Sequence, residues 1–517
     1  MKPGEAALHL MIMKRFALLL SMALVLVTIG GWAADQQPGF SRARWLEEQM
    51  ERGARTPDNL VPADPQRLKE FLDQLAKPRP PGTGIPKGVV RVSSDILAPE
   101  GGVAQPETET EPFFAIDPEN PKHLLGVYQE DRFLDEGCRN LTSAISLNGG
   151  ATWRETLLPN LTVADGGSYE RTSDPWVAFG TGGRAYFAAL AFNETSPQNG
   201  VYLSSSDDGG LTWSDPVSVH NSTQVMDDKE SVVVDTRDDS PYKGRVYVGW
   251  DFFDETNQQQ PEMITYSDDG GRTFQTPFTL TDQGASLGIV PLVGPGGIVH
   301  AVWLNYGVSA AGALLPALLT SHSTDGGRTW SAPVTISEVY ALGVSGSRTG
   351  TGLPSVAING RTGALYVAWE DSRFALTDQV ALSRSTDGGQ TWSAPIRVSD
   401  GPGDAPNFTP AVAVTPEGWV GVSYYSLRNN PAHVLVDEYL AISTNGGQRF
   451  AKSQRLTASS WDLRYAATSD GFFLGDYQGL AAFSRTFYPL WVATYAPSRL
   501  NPQDRQPDVF TRVLKVR

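Results

Sequence analysis

The sequence predicts an all-β chain built from one repeated sheet unit. Three observations lead there. An eight-residue pattern recurs six times, as SLNGGATW from Ser146, SDDGGLTW from Ser206, SDDGGRTF from Ser267, STDGGRTW from Ser323, STDGGQTW from Ser385 and STNGGQRF from Ser443. Its start positions differ by 60, 61, 56, 62 and 58 residues, a period long enough for one supersecondary unit. The 52 glycines and 36 prolines among 517 residues supply the many turns that such a chain needs.

Each copy reads as a tight turn closing a hairpin. Its third position is Asn148, Asp208, Asp269, Asp325, Asp387 or Asn445, followed by two glycines. Asp and Asn side chains hydrogen-bond nearby backbone N–H groups, and Gly accepts positive φ. The aromatic at position eight (Trp153, Trp213, Phe274, Trp330, Trp392, Phe450) is free to bury itself between units. These acids and amides are therefore expected to be structural. Each copy is preceded by two apolar strands around a Gly- or Pro-containing turn, beginning at Glu111, Ser173, Lys229, Gly288, Leu353 and Thr409. A seventh such pair begins at Phe472 and has no box after it. The run GVVRVSS from Gly88 can supply the strand that the last unit lacks, which would remove exposed sheet edges.

The boxes resemble the Asp box, or bacterial neuraminidase repeat; in the sixth, Arg449 replaces the usual Thr. The resemblance covers roughly residues 110–517 and implies a β-propeller of four-stranded blades, the fold of the sialidase superfamily. Seven inner-strand pairs favour seven blades; six, as in true sialidases, is the alternative.

Ahead of the repeat, Lys14 and Arg15 precede an apolar run from Phe16 to Ile29 and then Gly31-Trp32-Ala33, the pattern of a cleaved secretory signal over residues 1–33. The run is shorter than the ~20 residues a spanning helix needs. Residues 34–87 read as a short helical N-terminal extension with a Pro-rich linker, and 88–517 as the repeat domain. The expectation is a secreted or periplasmic protein with no membrane span when mature. Cys138 is the single cysteine, so no internal disulfide can form; it is expected to be an incidental loop thiol. A net charge of −16 without a basic face argues against nucleic acid. No histidine pair has zinc spacing, and the acidic loop DGPGD from Asp400 has no EF-hand pattern, so no metal and no cofactor is expected.

In the sialidase superfamily three arginines clamp a sugar carboxylate, a tyrosine is the nucleophile with a glutamate beside it, and an aspartate is the acid/base. The resemblance therefore implies Tyr477, in GDYQGLA, as nucleophile, Asp135, in VYQEDRFLDEG, as acid/base, and Glu170 or Glu230 as the polarising carboxylate. Arg132, Arg171, Arg348, Arg373 and Arg428, with Asp476, are the implied substrate-binding residues, and Arg485 is a further arginine within reach of the clamp. The chain departs from the family where the first arginine belongs: that place reads TETEPFFAI. Tyr477 also lies one blade later than the family tyrosine, with no glutamate on the strand after it. The resulting expectation is a glycan-hydrolysing or glycan-recognising face, a retaining exo-glycosidase if catalytic. A hydrolase of another carbohydrate, using Asp131 or Asp135 with Asp476, is an alternative. A noncatalytic propeller binding a glycan or a protein partner is another.

Overall fold

The structure is a computed structural model that describes residues 88–97, 104–134, 136–254, 257, 259–281, 285–308, 314–430, 434–469, 471–494 and 507–516. The expected signal segment, the helical extension with its linker, and Asp135 lie outside the described residues.

The described residues are almost entirely β. They form seven four-stranded antiparallel units. The first runs outward through Glu109–Ile116, Leu124–Arg132, Cys138–Ser146 and Arg154–Leu157. The second begins with Arg171–Phe179, and the following four with Met226–Val234, Ser286–Val293, Ser355–Ile358 and Asn407–Val414. The last consists of Gly479–Phe483, Thr486–Thr494 and Pro507–Arg512, with Val89–Arg91 as its outermost strand. Val89 pairs with Arg512 and Arg91 with Phe510, so the two ends of the chain share one sheet. Each first strand packs against the next, and Gly479–Phe483 packs against Glu109–Ile116, so the first strands form a closed ring. Sheets set radially around such a ring make a β-propeller.

The box turns behave as their composition requires. In the second unit, Ser206 Oγ accepts the Gly210 N–H at 2.7 Å and donates to Asp208 Oδ1 at 2.7 Å. Asp208 in turn accepts the Thr212 N–H at 2.9 Å and its hydroxyl at 2.6 Å. In the sixth box Arg449 has no hydroxyl to offer, and only its N–H reaches Asn445, at 3.1 Å. Trp213 is buried, and its indole N–H donates to Ser143 Oγ of the preceding sheet at 2.8 Å, tying neighbours together. The apolar core is correspondingly divided into layers between adjacent sheets. Leu125, Val127 and Leu141 of the first meet Val177, Phe187 and Ala189 of the second, and so on around the ring.

Cys138 is not a loop thiol. It opens the third strand of the first sheet, pairs with Thr172 of the second, and is fully buried. Its Sγ lies 3.0 and 3.2 Å from the carbonyl oxygens of Asn140 and Thr172, either of which can accept its one proton, and burial pushes its pKa well up, which disfavours the reactive thiolate.

Candidate functional site

The first strands are not regular. Five of them carry a β-bulge at the same place: between Thr110 and Phe113, Ser173 and Trp176, Asp228 and Ser231, Leu287 and Val290, and Phe408 and Ala411. The bulged residue has positive φ each time: Glu111 at 52°, Asp174 at 51°, Lys229 at 47°, Gly288 at 73° and Thr409 at 46°. For Glu, Lys and Thr this costs on the order of 1–3 kcal/mol, and bulges of this kind re-aim side chains. Glu111, Asp174 and Lys229 therefore occupy equivalent positions on three successive strands, turned toward one centre.

Asp476, from the turn before Gly479–Phe483, joins them. Lys229 Nζ donates to Asp174 Oδ1 at 3.0 Å and to Asp476 Oδ2 at 2.8 Å. Arg348 holds Asp476 in a fork, Nε to Oδ1 at 3.0 Å and an Nη to Oδ2 at 2.5 Å. The Asp476 N–H donates to Glu111 Oε1 at 3.3 Å. Backbone proximity fixes this geometry. Gly350 has a φ of +53°, and a Cβ there would lie 2.1 Å from the Asp476 carbonyl oxygen.

A small accessory sheet sets the arginines. Ser347–Arg348 pairs in parallel with Phe472–Phe473, which also pairs with Ala467–Thr468. Arg348 and Arg132 thereby meet over one ring, with guanidinium carbons 4.9 and 4.1 Å from the Phe473 centroid. Both also donate to Ser469 Oγ, at 3.3 and 2.9 Å. Arg132 is wholly buried and donates to Gln129 Oε1 at 2.5 Å, whereas the Arg348 side chain keeps 32% of its surface exposed.

The electrostatics follow from burial and these contacts. Burial opposes charging Lys229, but Asp174, Asp476, Asp228 and Glu111 outweigh it and hold its pKa well above the usual value. Burial likewise works against the Asp476 carboxylate, and Arg348 and Lys229 overcome it and hold that pKa far down. Glu111 is pushed up to about 7 by burial and by Asp174. Asp228 is pushed up to about 6, mainly by burial. Burial lowers the pKa of Arg132.

Tyr477 and Asp476 help line a cavity of about 280 Å³ that is otherwise walled largely by apolar side chains of the first strands. Its ring meets Trp176 and Phe113 edge-on at 5.4 and 6.3 Å, and its hydroxyl donates to the Pro175 carbonyl at 3.2 Å. Burial raises its pKa well above the ordinary phenol, reinforced by Glu111, Asp174, Glu230 and Asp476. Glu230 is buried with neither carboxyl oxygen hydrogen-bonded among the described residues, and burial raises its pKa strongly.

The structure thus brings together Tyr477, Asp476, Arg348 and Arg132 of the sequence-derived set. Glu170, Arg171, Arg373 and Arg428 are each engaged elsewhere. Glu170 accepts the N–H groups of Glu194 and Thr195 at 2.8 and 3.1 Å and the Thr195 hydroxyl, so it closes its own loop and does not face Tyr477. Arg171 donates to the Glu136 carbonyl at 2.7 Å and lies over Phe133. Arg373 is forked onto Asp371, and Arg428 onto Asp400 and Tyr424 near the periphery of the sixth sheet. A free three-arginine clamp is therefore not assembled from these residues. Sequence reading missed Glu111, Asp174 and Lys229 as a set. For two of them the usable signal was an acid before proline at one register of the repeat, Glu111-Pro112 and Asp174-Pro175; Lys229 is followed by Glu230 and carries no such mark.

Residues 383–394, the fifth box, match the BNR/Asp-box repeat family. The chain thus carries the BNR/Asp-box repeat and is similar over part of its length to a sialidase. It is 30% identical over 153 residues to a sialidase of Bacteroides fragilis (strain YCH46); the match covers 26% of this chain and 26% of that protein. Among solved structures, a protein of unknown function from Dyadobacter fermentans superposes with a TM-score of 0.43 at 14% identity, covering 84% of this chain and 100% of the other. The Hadza microbial sialidase Hz136 does so with 0.43 at 13%, covering 83% and 95%. The intramolecular trans-sialidase from Ruminococcus gnavus, solved in complex with oseltamivir carboxylate, gives 0.41 at 14%, covering 82% and 97%. No described helix is long and apolar enough to cross a membrane.

Proposed function

We propose that the seven sheets are the blades of a seven-bladed propeller acting on glycans at the mouth of its axial cavity, as a glycoside hydrolase of the sialidase type. The observation that carries this is the cluster itself. Lys229 is clamped between Asp174 and Asp476, Arg348 is forked onto Asp476 and partly open to solvent, and Asp476 and the adjacent Tyr477 both line the cavity. In this reading Arg348 faces the anionic group of the sugar. Tyr477 is the nucleophile of a retaining exo-glycosidase. Glu230, whose carboxyl is among those acting on Tyr477, takes the polarising role, because Glu170 is held by its own loop. Asp135 is proposed as acid/base. Export, with cleavage after Ala33, is part of the proposal; sequencing the N-terminus of the secreted protein tests it.

One observation favours a second reading. Arg348 and Arg132 already have protein partners, and Asp174 and Asp476 place oxygens on one ammonium at 3.0 and 2.8 Å, so those oxygens are at most about 5.8 Å apart. Retaining glycosidases that use two carboxylates space them at about 5–5.5 Å. A neutral glycan would suit such a pair. The test is turnover of a fluorogenic sialic acid α-ketoside and of a panel of neutral aryl glycosides by the wild type, Tyr477→Phe and Asp174→Asn. Loss on the ketoside in Tyr477→Phe supports the first reading. Turnover of a neutral glycoside alone, lost in Asp174→Asn, selects the second. A folded protein inactive on all of them sinks both and leaves glycan or protein binding.

A further inference from the structure

The closing seam of the ring holds a second cluster of carboxylates, away from Lys229. Asp95 follows the N-terminal strand, Glu109 opens the first strand of the first sheet, and Glu130 lies near the end of the second. One carboxylate oxygen from each lies within 4.8 Å of the others. Asp508 of the C-terminal strand is adjacent, since Ser93 Oγ lies 2.9 Å from Glu109 Oε2 and 3.0 Å from Asp508 Oδ1. A hydroxyl has one proton, so it satisfies only one of these two carboxylates. The other contacts leave more charge than they neutralise. Arg91 pairs with Asp508, and Glu130 accepts the Ile96 N–H at 3.2 Å and the Thr142 hydroxyl at 2.7 Å.

The independent observation is Glu109 itself. It is 0% exposed, and its Oε1 has no hydrogen-bond partner among the described residues. A buried carboxylate oxygen with no donor is strongly disfavoured unless a cation or a proton meets it. Burial and the neighbouring acids Glu130, Asp508 and Asp95 push its pKa well up, as expected for acids crowded without a counter-ion.

We infer that Asp95, Glu109 and Glu130 bind one calcium ion, which staples the N-terminal strand to the first sheet. All donors are hard oxygens, with neither His nor Cys, which excludes a zinc-type set. Calcium takes oxygens at about 2.3–2.6 Å, so ligands on opposite sides of it are about 4.6–5.2 Å apart; magnesium, at about 2.0–2.1 Å, holds them no more than about 4.2 Å apart. Three protein carboxylates converging on one point, two of them buried, suit calcium, because magnesium keeps several of its waters and is usually held by one or two carboxylates. Water completes the shell at Asp95, which is exposed.

The test uses the full mature chain stripped with chelator. Calorimetric titration with CaCl2 should show one site per chain. Saturation at a hundredfold excess over Kd should raise Tm by about 3 °C and slow amide exchange at residues 89–91. Glu109→Gln and Asp95→Asn should each weaken calcium binding at least tenfold. Should Glu109→Gln fail to fold, the exposed Asp95→Asn decides. No heat and no Tm shift in millimolar calcium overturns the inference. So does calcium affinity unchanged in Asp95→Asn, which would place the ion elsewhere. Magnesium binding as tightly as calcium overturns the choice of ion.

Discussion

Replacing Lys229 with Met keeps the length of the side chain and the backbone strain but removes the charge that two buried carboxylates share. With Nζ at 2.8 and 3.0 Å from Asp476 and Asp174, each attraction is worth about 6 kcal/mol at an effective dielectric of about 20. The desolvation of the ammonium offsets much of this. What remains on deleting one partner of a buried ion cluster is roughly 3–5 kcal/mol, because the carboxylates stay buried without it. Lys229→Met should therefore lower stability by about that amount at pH 7, read from urea denaturation midpoints at unchanged slope. The pH dependence has a definite sign. In the wild type Asp476 is held below the ordinary carboxylate range, so its contribution is present at neutral pH and is lost only in strong acid. Without the ammonium the cluster takes up a proton more readily, so the deficit should narrow between pH 8 and pH 5. Lys243→Met, which removes an exposed pair with Asp238, should leave the midpoint unchanged. A loss below about 1 kcal/mol in Lys229→Met, or a deficit that does not change with pH, would refute the claim that this triad is a buried, mutually dependent unit.

Three further outcomes are expected. Gly350→Ala should destabilise by at least about 2 kcal/mol and abolish whatever turnover the wild type shows, since its Cβ would displace Asp476; denaturation and turnover measured together check this. His300 is buried, with its pKa lowered to about 4 by burial and by His322, so the unfolded chain binds its proton first. Stability should accordingly fall by about 2 kcal/mol between pH 7 and pH 5, and His300→Gln should flatten that part of the profile. Trp213→Ala should cost about 3–5 kcal/mol, through lost packing between the first two sheets and the lost bond to Ser143, measured by thermal or urea unfolding.

How far the sequence could be read differed between scaffold and site, for physical reasons. The box turns were legible because each one is a local affair of Ser, Asp or Asn, two glycines and Thr within eight residues. The Val89–Arg91 strand was legible because counting strands left one unit short. The centre was legible only in part. Tyr477, Asp476, Arg348 and Arg132 stood out as loop or link residues of the right chemical type. Glu111, Asp174 and Lys229 sit within apolar strands, where a bulge turns them inward, and no local pattern states which way a bulged side chain faces. Arg171, Arg373 and Arg428 were of the right type too. Their partners, the Glu136 carbonyl, Asp371 and Asp400, could be named only once the sheets were in place. Cys138 was misread because its neighbours look like a loop, although the chain there is already pairing across to the second sheet.

The shared last sheet also bears on the order in which the molecule can be made. Val89–Arg91 emerges from the ribosome before the other described strands and must wait for Pro507–Arg512, about four hundred residues later, before it has its partner. Until then six sheets can form in sequence while the first and the sixth each present an uncovered apolar face, which is the kind of surface on which partly folded chains associate. Closure of so long a loop is entropically slow. The seam joining the two termini is thus the last contact to form in synthesis, and the first whose loss would let the ring reopen.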